Sequence, residues 1–239
     1  MIKVKKLNYF LLFLLITTCW LFITGLAQSQ TSQINITLTW STDTYVQAGY
    51  QGKALPVRGS NIEVVANIDD KINSENLVYN WFVNDYFKKE SSGLNKQVLK
   101  FNTDITTHDK NAIRLEIKNT NGIFLGVSYL TIETRKPKIV IHTKKGLLES
   151  NNYKIKGNQE VQFIAKPYFF NIDNINELNY RWGFNEQKAS RIDENNPNIL
   201  TFKINELTES IKQNLSISVE NKNNKIQRAQ KTIEITLIP

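Results

Sequence analysis

The sequence predicts an all-β protein, two tandem antiparallel β-sandwiches preceded by an N-terminal hydrophobic helix, and three observations carry that prediction. The 239-residue chain repeats itself at an interval close to 101 residues. Its apolar residues alternate with polar ones in short runs. An uncharged apolar stretch follows three lysines at the start.

Self-similarity sets the organisation. Leu77, Tyr79, Trp81 and Asn84 recur as Leu178, Tyr180, Trp182 and Asn185, each at an offset of 101. Val98-Leu99-Lys-Phe101 returns as Ile199-Leu200-Thr-Phe202 at the same offset, and Ile113-Arg-Leu115-Glu-Ile117 as Leu215-Ser-Ile217-Ser-Val219 at 102. Upstream, Val64-Val65-Ala66 answers to Phe163-Ile164-Ala165 at 99. Drifts of one to three residues imply insertions in loops between fixed strands.

Each block alternates, as in Ile34-Asn-Ile36-Thr-Leu38-Thr-Trp40, so one face of a pleated strand is apolar and the other wet. Asn-, Ser- and Gly-rich clusters such as Ser91-Ser92-Gly93 and Asn119 to Gly122 supply the turns between them. Beyond the leader no stretch sustains a helical apolar period. Short strands at this spacing imply about seven per repeat, in two sheets packed face to face. The boundaries fall at 1–27 for the leader, 28–134 for the first sandwich and 138–239 for the second. The short Pro137-containing linker predicts an extended, semi-rigid pair of domains.

Lys3, Lys5 and Lys6 precede an uncharged run from Tyr9 to Ala27. A basic end followed by an apolar run directs a segment into the export machinery. Gly25 and Ala27 suit cleavage before Gln28, as in a signal peptide. A helix of this length, roughly 28 Å, equally suits an uncleaved membrane anchor. Both outcomes stay open, and both place Gln28 to Pro239 outside the cytoplasmic membrane, secreted or periplasmic in one case and held by a single pass in the other. The one cysteine, Cys19, lies in the apolar run and lacks a lipidation context. The exported part therefore has no disulfide and must rest on its own cores.

Composition is that of a folded chain, 41% hydrophobic and 22% charged. Three of the 30 basic residues belong to the leader, leaving 27 against 22 acidic. The basic residues are scattered, with Lys88-Lys89, Arg135-Lys136-Lys138 and Lys144-Lys145 as small clusters. No basic stripe of the kind nucleic-acid binders carry is visible, so no nucleic-acid partner is expected. A mild surface excess of this sign suits an anionic envelope polymer or lipid headgroup.

The Tyr-x-Trp strand, the Leu-x-Phe strand some 18 residues later and the run Ile113 to Gly122 (IRLEIKNTNG) together resemble bacterial immunoglobulin-like surface modules, notably the polycystic-kidney-disease type. The resemblance covers both repeats and implies a spacer or adhesion module on a cell surface. One feature departs from the pattern: Phe82-Val-Asn84-Asp85 and Gly183-Phe-Asn185-Glu186 stand where that type has a Gly-Asp-Gly turn.

Chemistry is sparse. Trp81 and Trp182, repeating mid-strand, predict core fillers between two sheets. Trp40 sits at the end of the first strand, where the second repeat has Lys144 or Lys145, and with Tyr45 and Tyr50 forms the candidate sugar-stacking set. Asp69, Asp70 and Asp173, each set with a following Glu75 or Glu177, are the candidate calcium ligands, although the Asp-x-Asp-x-Asp-Gly order is missing and ordinary turn chemistry is expected. His108 and His142 lie in different repeats and predict no zinc site. No nucleophile elbow or phosphate-cradling loop appears, so neither catalytic residues nor cofactors are expected.

The function expected is a non-enzymatic extracytoplasmic structural or adhesion module of the cell envelope with a protein or glycan ligand. One alternative is an accessory subunit of a pilus or secretion-type assembly, which would show an edge strand without Lys or Pro guards. The other is a glycan-binding domain, which would show coplanar exposed rings.

Overall fold

The computed structural model describes residues 34–68, 76–103, 109–144, 146–148, 152–185, 187–188 and 195–239. The leader predicted over 1–27, with Asp69, Asp70, Glu75 and His108, lies outside the described residues. Among the described residues no helix is long and apolar enough to cross a membrane.

Two sheet pairs follow one another along the chain. The first is built from β1 (Ile36–Thr42), β2 (Asn61–Ile68), β3 (Leu77–Val83), β4 (Tyr86–Phe87), β5 (Gly93–Leu94), β6 (Val98–Asn102), β7 (Lys110–Asn119) and β8 (Phe124–Glu133). The second comprises β9 (Lys138–Thr143), β10 (Gly146–Leu147), β11 (Asn152–Lys156), β12 (Glu160–Tyr168), β13 (Leu178–Phe184), β14 (Gln187–Lys188), β15 (Ile199–Lys203), β16 (Ile211–Asn221) and β17 (Arg228–Ile238). Neighbours run β1-β2-β6 and β4-β3-β7-β8 in the first pair, with β5 also on β3, and β10-β9-β12-β15 and β11-β17-β16-β13-β14 in the second. Stripped of the two-residue strands and β11, the two orders are the same, and they are the order of an immunoglobulin-like sandwich. All pairings are antiparallel except that of β11 with β17.

Alternation makes the core. In β3 every second residue is buried, Leu77, Tyr79, Trp81 and Val83, and β7 answers with Ile113, Leu115 and Ile117. In the second pair one cluster joins Phe163, Ala165 and Leu200 of one sheet to Trp182, Ile217, Val219 and Ile235 of the other. Trp81 and Trp182 fill the cores as expected, 0% and 1% exposed. Each indole N–H donates to a backbone carbonyl, Trp81 to Lys96 at 2.9 Å and Trp182 to Pro197 at 3.1 Å, so the repeat interval extends to the acceptors.

The turn that departs from the polycystic-kidney-disease pattern has its own chemistry. Asn84 and Asp85 adopt φ of +50° and +64°, the left-handed pair that a tight hairpin between β3 and β4 needs and that Asn and Asp tolerate. The Asn84 side chain accepts from the Ala112 amide at 2.8 Å, and Asn185 (φ +46°) accepts from the Asn214 amide at 2.9 Å. In both turns an asparagine with positive φ also accepts a hydrogen bond from the neighbouring long strand. Between β7 and β8, Gly122 (φ +80°) closes a turn in which Asn119 accepts from Ile123 through its side chain and from Gly122 through its carbonyl.

The register corrects one alignment. Trp40 pairs with Val64, and Val64 with Leu99. In the second pair Thr143 pairs with Phe163, and Phe163 with Leu200, so the counterpart of Trp40 is Thr143, not Lys144 or Lys145. Trp40 also lies inside β1, which runs on to Thr42.

His142 of β9 carries a pH expectation. Burial, and then the nearby Lys166 ammonium, hold its imidazole below the ordinary histidine value. A folded value below the unfolded one gives stability that is present above the unfolded pKa and is lost as pH falls towards the folded one. The melting temperature is therefore expected to fall between about pH 7 and pH 5, and His142→Gln flattens that slope in a calorimetric pH series; an unchanged slope contradicts the assignment.

Candidate functional site

The segment between β1 and β2 leaves the first sheet pair and touches the second. Tyr45 forms an antiparallel bridge with Phe170, its amide donating to Phe170 at 2.7 Å and its carbonyl accepting from Phe169 at 2.7 Å. The Tyr45 side chain packs on the second core, and its proximity, after burial, raises the Tyr180 hydroxyl far above its ordinary pKa. Phe169 holds φ of +63°, a strained setting for a bulky residue, at the point where this bridge forms. Gln47 donates to the Pro167 carbonyl at 3.2 Å and Asn171 to the Gly59 carbonyl at 3.1 Å. Gln227, 1% exposed, donates to the Arg58 carbonyl at 3.0 Å while its oxygen accepts from the Asn171 amide at 2.8 Å and from Asn221 at 3.1 Å. The two sheet pairs are thus joined by a hydrogen-bonded junction as well as by the covalent linker.

Two of the three candidate sugar-stacking residues belong to this junction. Tyr45 is half-buried in it, and Tyr50 meets Tyr168 and Phe169 at 5.5 and 6.0 Å with interplanar angles of 61° and 74°. Trp40 is half-buried, and the Lys53 ammonium lies 3.4 Å from its ring centroid, a cation–π contact whose burial lowers the lysine pKa. Asp173, the calcium candidate that is described, lies in a turn where the Glu177 carboxylate accepts from the Asp173 and Asn174 amides at 3.0 and 2.8 Å. That carboxylate caps the short helical turn Ile175–Glu177. Among the described residues no three metal-ligating side chains converge.

A surface that sequence reasoning missed lies on the outward face of the β4-β3-β7-β8 sheet. Register sets Phe87, Phe82, Arg114 and Tyr129 side by side across four strands. Two residues along, Asn80, Glu116 and Val127 form the next row, and Val78, Lys118 and Phe124 the one after, with Leu94 beside Val78. Tyr129 is 71% exposed and Phe87 52%, with Leu94 and Phe124 also exposed. The Arg114 guanidinium stands 3.8 Å over the Phe82 ring and pairs with Glu116, so the charge in the middle of the face is neutralised and the rings are left as its character. Phe82 and Phe87 are 5.4 Å apart and tilted by 55°.

The second sheet pair supplies an internal control. Trp81 faces Leu115 as Trp182 faces Ile217, so the row through Phe82 corresponds to Lys188, Gly183, Ser216 and Thr232. The adjoining row is Arg181, Ser218 and Gln230. The same sheet therefore forms without rings on its outer face, and the fold does not explain their presence on the first. The signal was available in the sequence as the contrast between Phe82-Phe87-Tyr129 and their counterparts, but it needs the strand register to be read.

No protein-family profile matches the chain, and no curated protein matches it. Among solved structures the chain is similar to the fibronectin(III)-like modules of Clostridium thermocellum CbhA, with 11% identity and a TM-score of 0.26 over 84% of this chain and 93% of that one. It is similar to SGBP-B of the Bacteroides ovatus mixed-linkage glucan utilization locus, solved with a mixed-linkage heptasaccharide, at 8% identity and a TM-score of 0.25 over 83% and 70% of the two chains. A third likeness is to Sidekick-1 immunoglobulin domains 1–4, at 13% identity and a TM-score of 0.28 over 82% of this chain and 47% of that one. Identities this low concern architecture alone. The immunoglobulin-like sandwich rests on the strand order described above.

Proposed function

We propose that the protein is a non-enzymatic structural or adhesion module of the cell envelope, made of two tandem immunoglobulin-like domains related to the polycystic-kidney-disease type, that docks a protein partner on the outer face of its first domain. The observation that carries this reading is the aromatic row Phe82-Phe87-Tyr129 on one domain against a polar row on the equivalent face of the other. An exposed apolar patch that the fold does not require marks an interaction surface, and aromatic and arginine side chains are the types enriched where proteins meet. The 55° tilt between Phe82 and Phe87 suits packing against side chains better than stacking on a flat sugar ring.

The test exchanges ring for counterpart. Phe87→Lys with Tyr129→Thr reproduces residues that the second sheet already carries at the same register, so folding is retained. Beads carrying the wild-type chain should retain an envelope protein that the double variant binds at least about tenfold more weakly. Equal retention by both sinks the docking face, and loss of binding to a neutral polysaccharide instead would favour the glycan reading.

A second reading, an accessory subunit of a pilus or secretion-type assembly, is favoured by β8. Among the described residues β8 pairs in strand register with β7 alone, the Ser128 hydroxyl donating towards β1 at the Ile36 carbonyl at 3.2 Å, and FLGVSYLTIE contains neither Lys nor Pro. Such an edge accepts an added strand. The placement outside the membrane rests on Lys3, Lys5, Lys6 and the apolar run to Ala27. Intact mass of the protein from membrane and soluble extracytoplasmic fractions distinguishes an anchored form that keeps Met1 to Ala27 from a released one that begins at Gln28.

A further inference from the structure

The junction between the two sheet pairs opens into a cleft of about 1390 Å³ that the aromatic face does not share. Arg58, Lys110, Arg135 and Lys136 line it from the first half and the linker, and Lys225 and Arg228 from the second. Asp109 and Glu133 are the two carboxylates in its lining. Both are already paired, Asp109 with Arg58 at 3.1 Å and Glu133 with Arg135 at 2.6 Å and Lys110 at 3.6 Å. Lys136, Lys225 and Arg228 meet no carboxylate within ion-pair distance among the described residues, and all three are exposed. Gln227, which ties the halves together through Arg58, lies in the same wall and fixes the spacing of the cations on either side.

We infer that this cleft binds a linear polyanion, a chain with repeating phosphate or carboxylate groups, with Lys136, Lys225 and Arg228 as the contacts. Charge complementarity selects the sign: six basic side chains line the recess against two carboxylates, and among the described residues Lys136, Lys225 and Arg228 hold no ion pair, Glu220 across the strand from Arg228 staying beyond ion-pair distance, so anions concentrate there. Size selects a polymer, because the volume exceeds the roughly 300–1,000 Å³ of a small-molecule site. Recession between two bodies selects a chain over a membrane surface: a strand of polymer enters a cleft, and a flat sheet of headgroups does not. The inference is independent of the aromatic docking face.

The experiment uses the purified full chain with inorganic polyphosphate and polygalacturonate as probes, dextran as neutral control and phosphatidylglycerol vesicles as the rival surface. The triple variant Lys136→Gln, Lys225→Gln, Arg228→Gln is compared with Lys154→Gln, Lys156→Gln, Lys203→Gln, which removes the same charge elsewhere. Lys154 and Lys156 pair with Thr236 and Ile238, at least six residues along β17 from Gln230. The cleft variant is expected to bind polyphosphate or polygalacturonate about tenfold more weakly, with a shallower salt dependence, while the control variant keeps most of the affinity. As a measurement that needs no variant, polyphosphate should shield Lys136 and Lys225 from amine acetylation more than it shields Lys154. Equal losses in both variants, no loss in either, uniform shielding, or an effect of the cleft variant on vesicle binding alone overturns the proposal.

Discussion

Replacing Trp182 with alanine is expected to destabilise the protein by about 3–5 kcal/mol, with Trp81→Ala costing the same, because each removes the largest side chain from a closed core. Trp182 is 1% exposed and belongs to a cluster that draws on both sheets of the second pair, and Trp81 is 0% exposed in the first. Neither site can collapse easily, since the opposing residues are strand-bound and held in register. Each alanine also leaves a carbonyl, that of Lys96 or Pro197, without its indole donor. At roughly 2–4 °C per kcal/mol for a body of this size, the melting temperature falls by about 10 °C. Thermal unfolding followed by circular dichroism measures it, and a loss under about 1 kcal/mol would mean that the indole is not a core filler.

Gln227 carries the second large effect. Its carboxamide satisfies the Arg58 carbonyl, the Asn171 amide and the Asn221 side chain at once, from a position 1% exposed. Gln227→Met keeps the volume and removes all three bonds, leaving buried polar groups that cost about 1–3 kcal/mol each when unsatisfied. A total near 3 kcal/mol is expected in urea unfolding, together with faster amide exchange at Asn171. A shift below about 0.5 kcal/mol would place these groups in contact with water, and the junction would then be a loose contact.

The sheets and their cores were legible in the sequence because alternation is a local signal and the repeat supplied a second copy of it. Leu77-Val-Tyr79-Asn-Trp81 shows its buried face by period alone, and the buried residues of β3 are the ones that period selects. Trp40 was harder. Its partner in the second pair depends on register across β1 and β2, which a one-residue slip alters without changing the pattern, and the cation over its ring comes from Lys53, 13 residues away. Tyr45 and Tyr50 read as aromatics in a loop, and nothing local to them shows that Phe170 and Tyr168 fold back to meet them.

The basic cleft shows the same limit more sharply. Arg135 and Lys136 were visible as a small cluster, but Arg58, Lys110, Lys225 and Arg228 are spread over more than 160 residues. Scattered charge in sequence carries no information about convergence, because that depends on which loops end at the same edge.

What the sequence by itself determined is the set of properties that depend on near neighbours along the chain: strand period, turn clusters such as Asn119 to Gly122, and the identity of the core tryptophans. Tertiary structure alone decided which outer face is aromatic, which cations share a recess and how the two halves are held together. These depend on strand register and loop closure, which are settled by packing between segments far apart in the chain and leave no periodic trace in it.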